Sequence, residues 1–384
     1  MMQLLKDQTI LIISPQSWGT MFLAKHHYAV ALAKRGNRVF FLNPPAQNRI
    51  DFFSKIELKP SNAHPNLQLI EHTLFFPSWL RFKATWLFHA LMWFHVRRIR
   101  SSLPAINVVW SFDLNNYYPF HFWGKDILKI FHPIDEPSSS HAIAAARNAD
   151  VIFSVTREIL EKYRWHPAPR HFVHHGVEDV FLEYANPRRP VGQPLRCGLS
   201  GNFTRPDLDR PTLLQIIREN PEVKFEGWGS FRPKDSNIAG DNSIDLQQFI
   251  AELQSLSNVT LHGAISPNDL APELHRMDIL LICYDILKDQ SRGTNYHKVM
   301  EYLSTGKVIV ANNITTYSQR PDLVCMPAER EHNRTLPVLF RQVVDHIDEY
   351  NDSEKQRARI AFARENTYEK QIDRIVAYLP KTGF

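Results

Sequence analysis

Short apolar runs alternate with helical stretches along the first 177 residues. Residues 9–14 (TILIIS) form a continuous apolar run, residues 21–35 carry apolar positions at helical spacing, and residues 38–43 (RVFFLN) form a second run. Runs of the same kind follow at 66–73, 106–113, 128–135, 150–156 and 170–177. Uninterrupted apolar runs separated by helices are typical of a parallel sheet that is covered on both faces.

The alternation of strand and helix patterns stops after residue 177 and restarts at residue 195. Residues 178–194 are proline-rich, polar and aperiodic, which predicts a linker between two domains. We therefore expect one α/β domain over residues 1–180, a second over residues 195–365, and a last helix that is free to pack back on the first domain. The second domain carries strand patterns at 195–203, 223–230, 258–264 and 278–285, and helical patterns at 207–219, 245–257, 335–350 and 352–379.

Residues 291–310 combine a loop, a helix and a buried strand in quick succession. Asn295 stands where a helix N-cap is expected, and Gly306 is placed to end the helix. A helix N-terminus beside basic side chains is a natural seat for a phosphate, and a carboxylate one turn further in can hold two sugar hydroxyls. A surface helix with solvated charges accounts for the same residues equally well. The charged residues at the front of this helix are Arg292, Lys298 and Glu301.

Length and composition restrict the class of protein. The chain of 384 residues is long enough for two domains, and it has no apolar run of 18 residues, so we expect no membrane-spanning helix. Its first residues read as a strand and not as a signal peptide. The three cysteines, Cys197, Cys283 and Cys325, show neither a disulfide framework nor zinc spacing, which favours a reducing cytoplasm.

The basic charge is concentrated in the first half. Residues 1–180 contain 20 Lys and Arg against 13 Asp and Glu, whereas the whole chain carries a net charge of +5. Residues 75–100 contain five Phe and three Trp flanked by Arg and Lys, and no acidic residue lies between Glu71 and Asp113. This composition favours peripheral contact with an anionic membrane. A helix packed on the sheet with a basic exposed end is the alternative, and no motif for reading nucleic acid accompanies the segment.

Four motifs follow one another along the chain: HHGVED at 174–179, SGNFT at 200–204, GWGS at 227–230 and the stretch 291–310. Their order and spacing resemble the GT-B glycosyltransferases, whose two Rossmann-like doubly wound α/β domains face each other across a cleft. The C-terminal half resembles glycosyltransferase family 4, in which a lysine, a glutamate, a tyrosine and a glycine precede a strand. The whole chain resembles bacterial glycosyltransferases of the teichuronic-acid and xanthan type. The matching residues here are Lys298, Glu301, Tyr302 and Gly306.

The resemblance implies a donor site in residues 195–365. Glu301 would accept hydrogen bonds from two ribose hydroxyls, and Lys298 and Arg292 would stabilise the departing diphosphate. An ion pair between Lys298 and Glu301 on one helix face is the alternative. Strand-end glycines would admit phosphates close to backbone N–H groups, or would serve only as tight turns. The further donor-binding candidates are Gly201, Asn202, Gly227, Gly229, Tyr284, Asn295 and His175.

One residue departs from the family pattern. Retaining members carry two glutamates, of which Glu301 matches the second. Eight positions earlier this chain has Gly293, so the first acidic residue is missing.

Asp135 is the candidate for acceptor activation in residues 1–180. It follows a predicted buried strand, so it should stand at the carboxyl edge of the sheet, and the xanthan-type enzymes carry a similarly placed aspartate as general base. A capping role for Asp135 or Glu136 in the helix after Pro137 is the alternative. Asp113 occupies the corresponding place on the neighbouring strand and is the second candidate.

These features favour a cytoplasmic transferase on the inner face of a membrane. It would move a hexose-type sugar from a nucleotide sugar, taken as a UDP-sugar, to a lipid-linked or polysaccharide acceptor. We expect no cofactor and no metal, because the one DxD string (207–209) begins a helix. A nucleotide-sugar epimerase on the same fold and a non-catalytic nucleotide-sugar-binding protein remain as alternatives.

Overall fold

The computed structural model describes residues 5–19, 22–46, 51, 55–184, 193–232 and 243–380. The chain divides into two compact units. The N-terminal unit comprises Met1–His175 and Tyr368–Phe384, and the C-terminal unit comprises Gly176–Thr367. The change from one unit to the next falls after His175, and residues 185–192 of the predicted linker lie outside the described residues.

Thirteen strands are present in the described part of the chain. They are β1 (Thr9–Ile13), β2 (Arg38–Leu42), β3 (Ile56–Pro60), β4 (Leu67–His72), β5 (Val108–Ser111), β6 (Leu128–Phe131), β7 (Val151–Ser154), β8 (Arg170–Phe172), β9 (Arg196–Ser200), β10 (Lys224–Trp228), β11 (Val259–Gly263), β12 (Ile279–Ile282) and β13 (Val308–Ala311). All the strands predicted from apolar runs are confirmed, with ends shifted by at most five residues.

The same residues contain thirteen α-helices and three short 3₁₀ turns, which are Phe120–Phe122, Asp179–Leu182 and Thr315–Tyr317. The helices are α1 (Ala24–Lys34), α2 (Leu80–Lys83), α3 (Thr85–Ser101), α4 (Ser140–Ala144), α5 (Arg157–Lys162), α6 (Arg210–Glu219), α7 (Ile244–Ser255), α8 (Pro267–His275), α9 (Lys298–Ser304), α10 (Leu336–Asp345), α11 (Ile347–Tyr350), α12 (Ser353–Arg364) and α13 (Tyr368–Tyr378).

The sheet of the N-terminal unit has the strand order β3-β4-β2-β1-β5-β6-β7-β8. All neighbours are parallel except β3, which runs antiparallel to β4 at the edge. The central strands are buried along their whole length because helices cover both faces. The order reverses beside β1, and in such sheets ligands bind at the carboxyl edge near that reversal.

The last helix completes the N-terminal unit. Ile372 and Ile375 of α13 are fully buried in the same core cluster as Tyr28 and Leu32 of α1. The Arg35 guanidinium donates to the Asp373 carboxylate at 2.7 Å on the rim of this contact. The two ends of the chain therefore build one core.

The C-terminal unit has a smaller sheet with the order β11-β10-β9-β12-β13, in which every described pair is parallel. Its order reverses between β9 and β12. Because β9 leads into α6 on one side and β12 leads towards α9 on the other, a crevice opens between the ends of these two strands.

Three details differ from the sequence-based expectations. Strand β3 was not predicted, because its residues IELKP are charged and mostly exposed. The helix expected over 335–350 is interrupted at His346, and the one expected over 352–379 is two helices. The second interruption is fixed by a backbone bond, since Val177 N donates to Asn366 O at 2.9 Å.

Candidate active site

A pocket lies in the C-terminal unit where the strand order reverses. It is formed by the ends of β9 and β12 and by the first residue of α9. Four of the predicted donor-site residues come together here. The lining residues are Leu199, Ser200, Gly201, Asn202, Phe203, Leu208, Leu281, Ile282, Cys283, Tyr284 and Lys298.

The Lys298 ammonium is the positive charge of this pocket. It donates to the Ser200 carbonyl oxygen and, at 2.7 Å, to the Tyr284 hydroxyl, and it lies 4.9 Å from the centre of the Tyr284 ring. Burial disfavours the charged form, but the oxygens of Tyr284 and Tyr302 outweigh it and raise the pKa of Lys298. The lysine therefore remains a cation at neutral pH, held at a fixed point by oxygen ligands. The predicted ion pair with Glu301 is not the contact it makes.

Tyr302 holds α9 against β9. The fully buried hydroxyl accepts from Ser200 N at 2.7 Å and from Ser200 Oγ at 3.1 Å. Lys298 and Tyr302 are four positions apart and thus share one face of the helix, so that both reach the same strand end. The first turns of α9 and Ser200 at the end of β9 therefore fix the geometry of the pocket.

Gly201 and Gly229 allow the two strand ends to approach closely. Both have positive φ angles, 137° and 135°, and a Cβ on Gly229 would collide with the Gly201 carbonyl oxygen. A Cβ on Gly201 would stand 2.5 Å from the Lys298 ammonium nitrogen. Their own N–H groups donate to Trp228 O and Gly263 O at 2.8 Å. These two N–H groups are engaged within the sheet, and the contact of both glycines with the donor stays a prediction.

Two other donor-site candidates have structural roles. Gly227 is buried, and a Cβ there would meet the Phe203 ring at 2.7 Å and Leu261 at 2.8 Å, so this glycine makes room in the core. A register shift between Gly227 and Trp228 separates it from the strand end. Asn202 does line the pocket, but its Oδ1 accepts from the backbone N and the hydroxyl of Thr204.

Asp289, which no sequence motif marks as a site residue, organises the loop before α9. Its buried carboxylate accepts from Gly293 N at 2.9 Å, from the Ser291 hydroxyl at 2.6 Å and from the Tyr296 hydroxyl at 2.7 Å. Arg292 sits in this loop with a φ angle of 51° and an exposed side chain. The loop thus presents the predicted arginine at the surface and not in the pocket.

Gly293 adopts a backbone conformation that disfavours any side chain at this position. Its φ angle is 64°, and a Cβ at this position would lie 2.7 Å from the Asn313 carbonyl oxygen. An L-residue with a side chain is disfavoured by both the backbone angle and the contact. A carboxylate side chain at position 293 therefore has no room in this loop.

The N-terminal end of α9 differs from the prediction. The N-cap is His297 and not Asn295, and the helix has only seven residues. Asn295 is buried two positions before the cap. A helix this short has a small dipole, so the Lys298 charge, and not the helix end, is what the pocket offers an anion.

Glu301 is paired with His297, which is not one of the predicted site residues. Its Oε1 lies 3.0 Å from His297 Nδ1, and the two side chains are 15% and 29% exposed. Glu301 is not among the lining residues of the pocket that holds Lys298. The spacing of four residues on one helix was the available signal for this pair.

The N-terminal unit brings three titratable groups to the carboxyl edge of its sheet. Asp135 is exposed after β6, and Asp113 is buried after β5. Lys25, in the first turn of α1, is buried and donates to Gln16 Oε1; burial lowers its pKa to about 8, against the opposing charges of Asp135 and Asp113. Lys25 was not predicted, because nothing in a helical run marks a buried lysine.

The capping alternative for Asp135 is wrong, because Ser139 caps α4 and accepts from Ala142 N at 3.2 Å. Glu136 instead pairs with Lys162. The Asp113 carboxylate is used by its own turn, where it accepts from Asn115 N at 2.8 Å and Tyr117 N at 3.0 Å. Of the two aspartates, Asp135 is the one whose carboxylate is exposed.

His175 belongs to the N-terminal unit, where it is buried and its carbonyl accepts from Gln371 Nε2 at 3.4 Å. Its proposed contact with the donor stays a prediction.

The segment 75–100 forms α2, α3 and the loop before them. One face of α3 packs on the sheet through Phe88, Met92, Val96 and Ile99, as the packing alternative predicts. Outside that face a group of large aromatic side chains is exposed beside Arg81, Lys83 and Arg97. Its members and their exposed fractions are Trp79 53%, Phe82 77%, Trp86 76%, Trp93 37% and Phe94 54%.

Arg97 lies 4.7 Å from the Trp93 ring centre, and Lys83 lies 5.7 Å from that of Trp79, so basic groups stand directly over exposed rings. Among the helices of the described ranges, none is both long and apolar enough to cross a bilayer.

Solved structures reveal the fold. The chain matches sucrose-phosphate synthase from Thermosynechococcus elongatus with a TM-score of 0.67, at 13% identity and over 96% of this chain and 97% of that one. The chain has the GT-B fold. The lipopolysaccharide outer core galactosyltransferase WaaB in its apo form matches with a TM-score of 0.63, at 12% identity over 97% of this chain and 100% of that one.

A third GT-B structure is Anabaena Alr3699/HepE in complex with UDP and glucose, with a TM-score of 0.62, 14% identity and coverage of 97% of this chain and all of that one. No protein-family model and no curated protein sequence matches the chain. At these identities the likeness establishes the GT-B fold, and the chemistry has to be argued from the residues.

Proposed function

We propose that this chain is a glycosyltransferase that moves a hexose-type sugar from a nucleotide diphosphate sugar to an acceptor. The observation that carries the proposal is the Lys298 ammonium, fixed by Ser200 O and Tyr284 Oη at the reversal point of the C-terminal sheet. Breaking the bond between a sugar and a diphosphate leaves negative charge on the diphosphate. A preorganised cation at that point lowers the barrier most.

The donor is proposed to be a UDP-sugar that is bound by the C-terminal unit. Two GT-B structures support this choice by what they contain: HepE was solved with UDP and glucose, and the E. coli trehalose-6-phosphate structure with UDP-2-fluoro glucose. In the proposal, Glu301 accepts hydrogen bonds from the ribose hydroxyls, Lys298 binds the diphosphate, and Arg292 swings from its exposed loop to join it. The proposal includes no metal cofactor.

The N-terminal unit is proposed to bind the acceptor, with Asp135 as the general base that removes the proton of the attacking hydroxyl. The exposed carboxylate of Asp135 supports this role, and the buried ammonium of Lys25, on which the Asp135 charge acts, provides a cation at the same edge of the sheet. The absence of room for a carboxylate at Gly293 supports direct displacement at the anomeric carbon.

We place the acceptor in cell-surface glycan synthesis, as a lipid-linked sugar or a growing polysaccharide. The exposed aromatic and basic group on α2 and α3 supports peripheral binding to an anionic membrane on its cytoplasmic side, since aromatic side chains insert at the lipid interface while Arg and Lys bind headgroups. The WaaB structure, a lipopolysaccharide galactosyltransferase, is a neighbour of this kind.

A donor screen tests the proposal. Thermal shift and hydrolysis are measured with uridine, guanosine and thymidine diphosphate sugars, with and without EDTA. The wild type should bind a UDP-sugar in both conditions, and Glu301→Ala should weaken binding at least tenfold. Binding of none of these donors, or unchanged binding by Glu301→Ala, would reject the proposal. Conversion of the donor sugar without an acceptor would instead identify an epimerase, and binding without any turnover a binding protein.

Sedimentation with vesicles tests the membrane contact. Vesicles of phosphatidylcholine with phosphatidylglycerol should pellet the wild type, and salt should weaken the effect. Phe82→Ser with Trp86→Ser should abolish pelleting, whereas Val338→Ser, which alters an equally exposed apolar residue in the other unit, should leave it unchanged. Equal pelleting of all three proteins would remove the membrane from the proposal.

A further inference from the structure

His297 and Glu301 form a pair whose geometry is set by a single turn of helix. His297 Nδ1 lies 3.0 Å from Glu301 Oε1, and the four-residue spacing places both side chains on one face of α9. A hydrogen bond to an ionised carboxylate is short and directional. It therefore restricts the orientation of the carboxylate.

The pair leaves one carboxylate oxygen available. Over the part of the chain that the structure describes, Glu301 Oε2 accepts no hydrogen bond, and the side chain is 15% exposed. A carboxylate with one oxygen anchored and the other open is suited to accept hydroxyl protons from a vicinal diol, because rotation of the carboxylate is already restricted.

A second carboxylate makes the imidazole necessary. Glu178 precedes the 3₁₀ turn that packs against α9, and burial together with the charge of Glu301 raises the pKa of Glu178 to about 7. Burial alone would disfavour the imidazolium, but the hydrogen bond to Glu301 and the charges of Glu301 and Glu178 outweigh it and raise the pKa of His297. A protonated His297 therefore offsets the charges of both carboxylates.

We propose that His297 is a positioning residue that holds the Glu301 carboxylate in the orientation that binds the ribose diol of the donor nucleotide. This inference rests on the proposed function, since it assigns a partner to the carboxylate that binds the donor. His297 does not touch the donor. It acts through Glu301, next to the lysine that binds the diphosphate.

The experiment compares two ligands that differ only in the diol. Calorimetry measures the binding of UDP and of 2′,3′-dideoxy-UDP to the wild type, His297→Leu, His297→Gln and the control His346→Leu, whose histidine lies at the end of α10. His297→Leu should weaken UDP about tenfold and leave dideoxy-UDP unchanged. His297→Gln, which keeps a donor, should bind UDP within about threefold of the wild type, and His346→Leu should match the wild type.

The possible outcomes distinguish the inference about His297 from the proposed function. Equal weakening of both ligands by His297→Leu would indicate a merely structural role and overturn the inference, and so would unchanged binding of UDP. If Glu301→Ala weakens UDP while His297→Leu does not, the inference fails and the proposed function stands. If the wild type binds neither UDP nor GDP, both fail. Circular dichroism of His297→Leu and His297→Gln checks that both variants are folded, so that a change in affinity cannot be due to misfolding.

Discussion

Lys25 and Lys298 stand in the first turn of a helix beside the carboxyl edge of their sheets, one in each unit, and their surroundings give them opposite acid–base behaviour. Burial lowers the pKa of Lys25 to about 8, whereas the tyrosine oxygens overcome burial and raise that of Lys298. Two sheets of the same construction thus provide one lysine that can lose its proton and one that stays charged. Placement in the fold brings a residue to the edge, and its immediate ligands decide what it does there.

The histidines extend this contrast. In the N-terminal unit His72, His95 and His132 are buried in the core, and burial lowers their pKa values to about 4, 3 and 3. In the C-terminal unit the pKa of His297 is raised. Acid therefore acts on the two units in opposite senses at these sites, which leads to the first prediction.

The largest expected effect is acid destabilisation of the N-terminal unit. A folded-state pKa below the unfolded value of about 6.5 means that the unfolded chain binds more protons, so stability falls as pH drops below about 6.5. Each of the three histidines contributes on the order of 1–2 kcal/mol at pH 5. Hydrogen exchange at pH 8 and pH 5 should show β1, β5 and β6 losing protection before β9 and β12.

Loss of protection in β9 and β12 before β1, β5 and β6 would contradict this prediction. His297 provides an internal check, because a raised pKa contributes stability at low pH that disappears as pH rises through the folded value.

The second prediction concerns the fixed cation. Lys298→Ala should lower the rate of sugar transfer by about 10²–10³, the usual cost of removing one preorganised group that stabilises transition-state charge. Initial rates at saturating donor provide the measurement. Lys288→Ala is the matched control, since Lys288 is an exposed lysine in the same unit, paired with Asp285. A Lys298 variant as active as the Lys288 variant would show that this pocket does not bind the diphosphate.

The third prediction compares two glycines. Gly229→Ala should destabilise the C-terminal unit by about 1–3 kcal/mol or more, because of its positive φ angle and the collision with Gly201 O. Gly19→Ala in the N-terminal unit, where nothing lies within 4 Å of the new Cβ, should change stability by less than about 0.5 kcal/mol. Denaturant unfolding followed by exchange mass spectrometry distinguishes the units. Equal changes in the free energy of unfolding for Gly229→Ala and Gly19→Ala would show that the close approach of the strand ends is not required for stability.

The smallest expected effect is that of Lys25→Met. The folded pKa of Lys25 lies below its unfolded value, so the unfolded chain binds the extra proton between about pH 8 and 10.5 and wild-type stability rises over that window. Removing the charge should abolish this rise and leave the N-terminal unit about 1 kcal/mol more stable at neutral pH. Unfolding midpoints at pH 7, 9 and 10 measure the difference between the two proteins. Parallel curves would mean that Lys25 titrates normally in the folded chain.

The sequence was sufficient for the fold, because buried parallel strands are continuous apolar runs with little ambiguity. The exception, β3, carries Glu57 and Lys59 and is recognisable only by its pairing with β4. Lys298 and Tyr284 were also predictable, since Tyr284 follows a predicted strand and Lys298 stands at the front of the predicted helix in residues 291–310.

The remaining site residues depend on contacts that no local pattern encodes. Gly227 and Gly229 look alike in the sequence, yet a register shift turns one towards Phe203 and leaves the other at the strand end. Asp289 became important only through the three donors that surround it. His297 was within reach of sequence reasoning, because its spacing from Glu301 is that of a helical pair.

The return of α13 to the N-terminal unit has a consequence for synthesis on the ribosome. The core that contains Tyr28 of α1 is completed by Ile372 and Ile375, which are translated within the last 13 residues of the chain. The C-terminal unit, in contrast, is continuous in sequence. The usual order, in which the first domain folds first, is therefore reversed: the core of the N-terminal unit stays incomplete until α13 is synthesised, after the whole of the C-terminal unit.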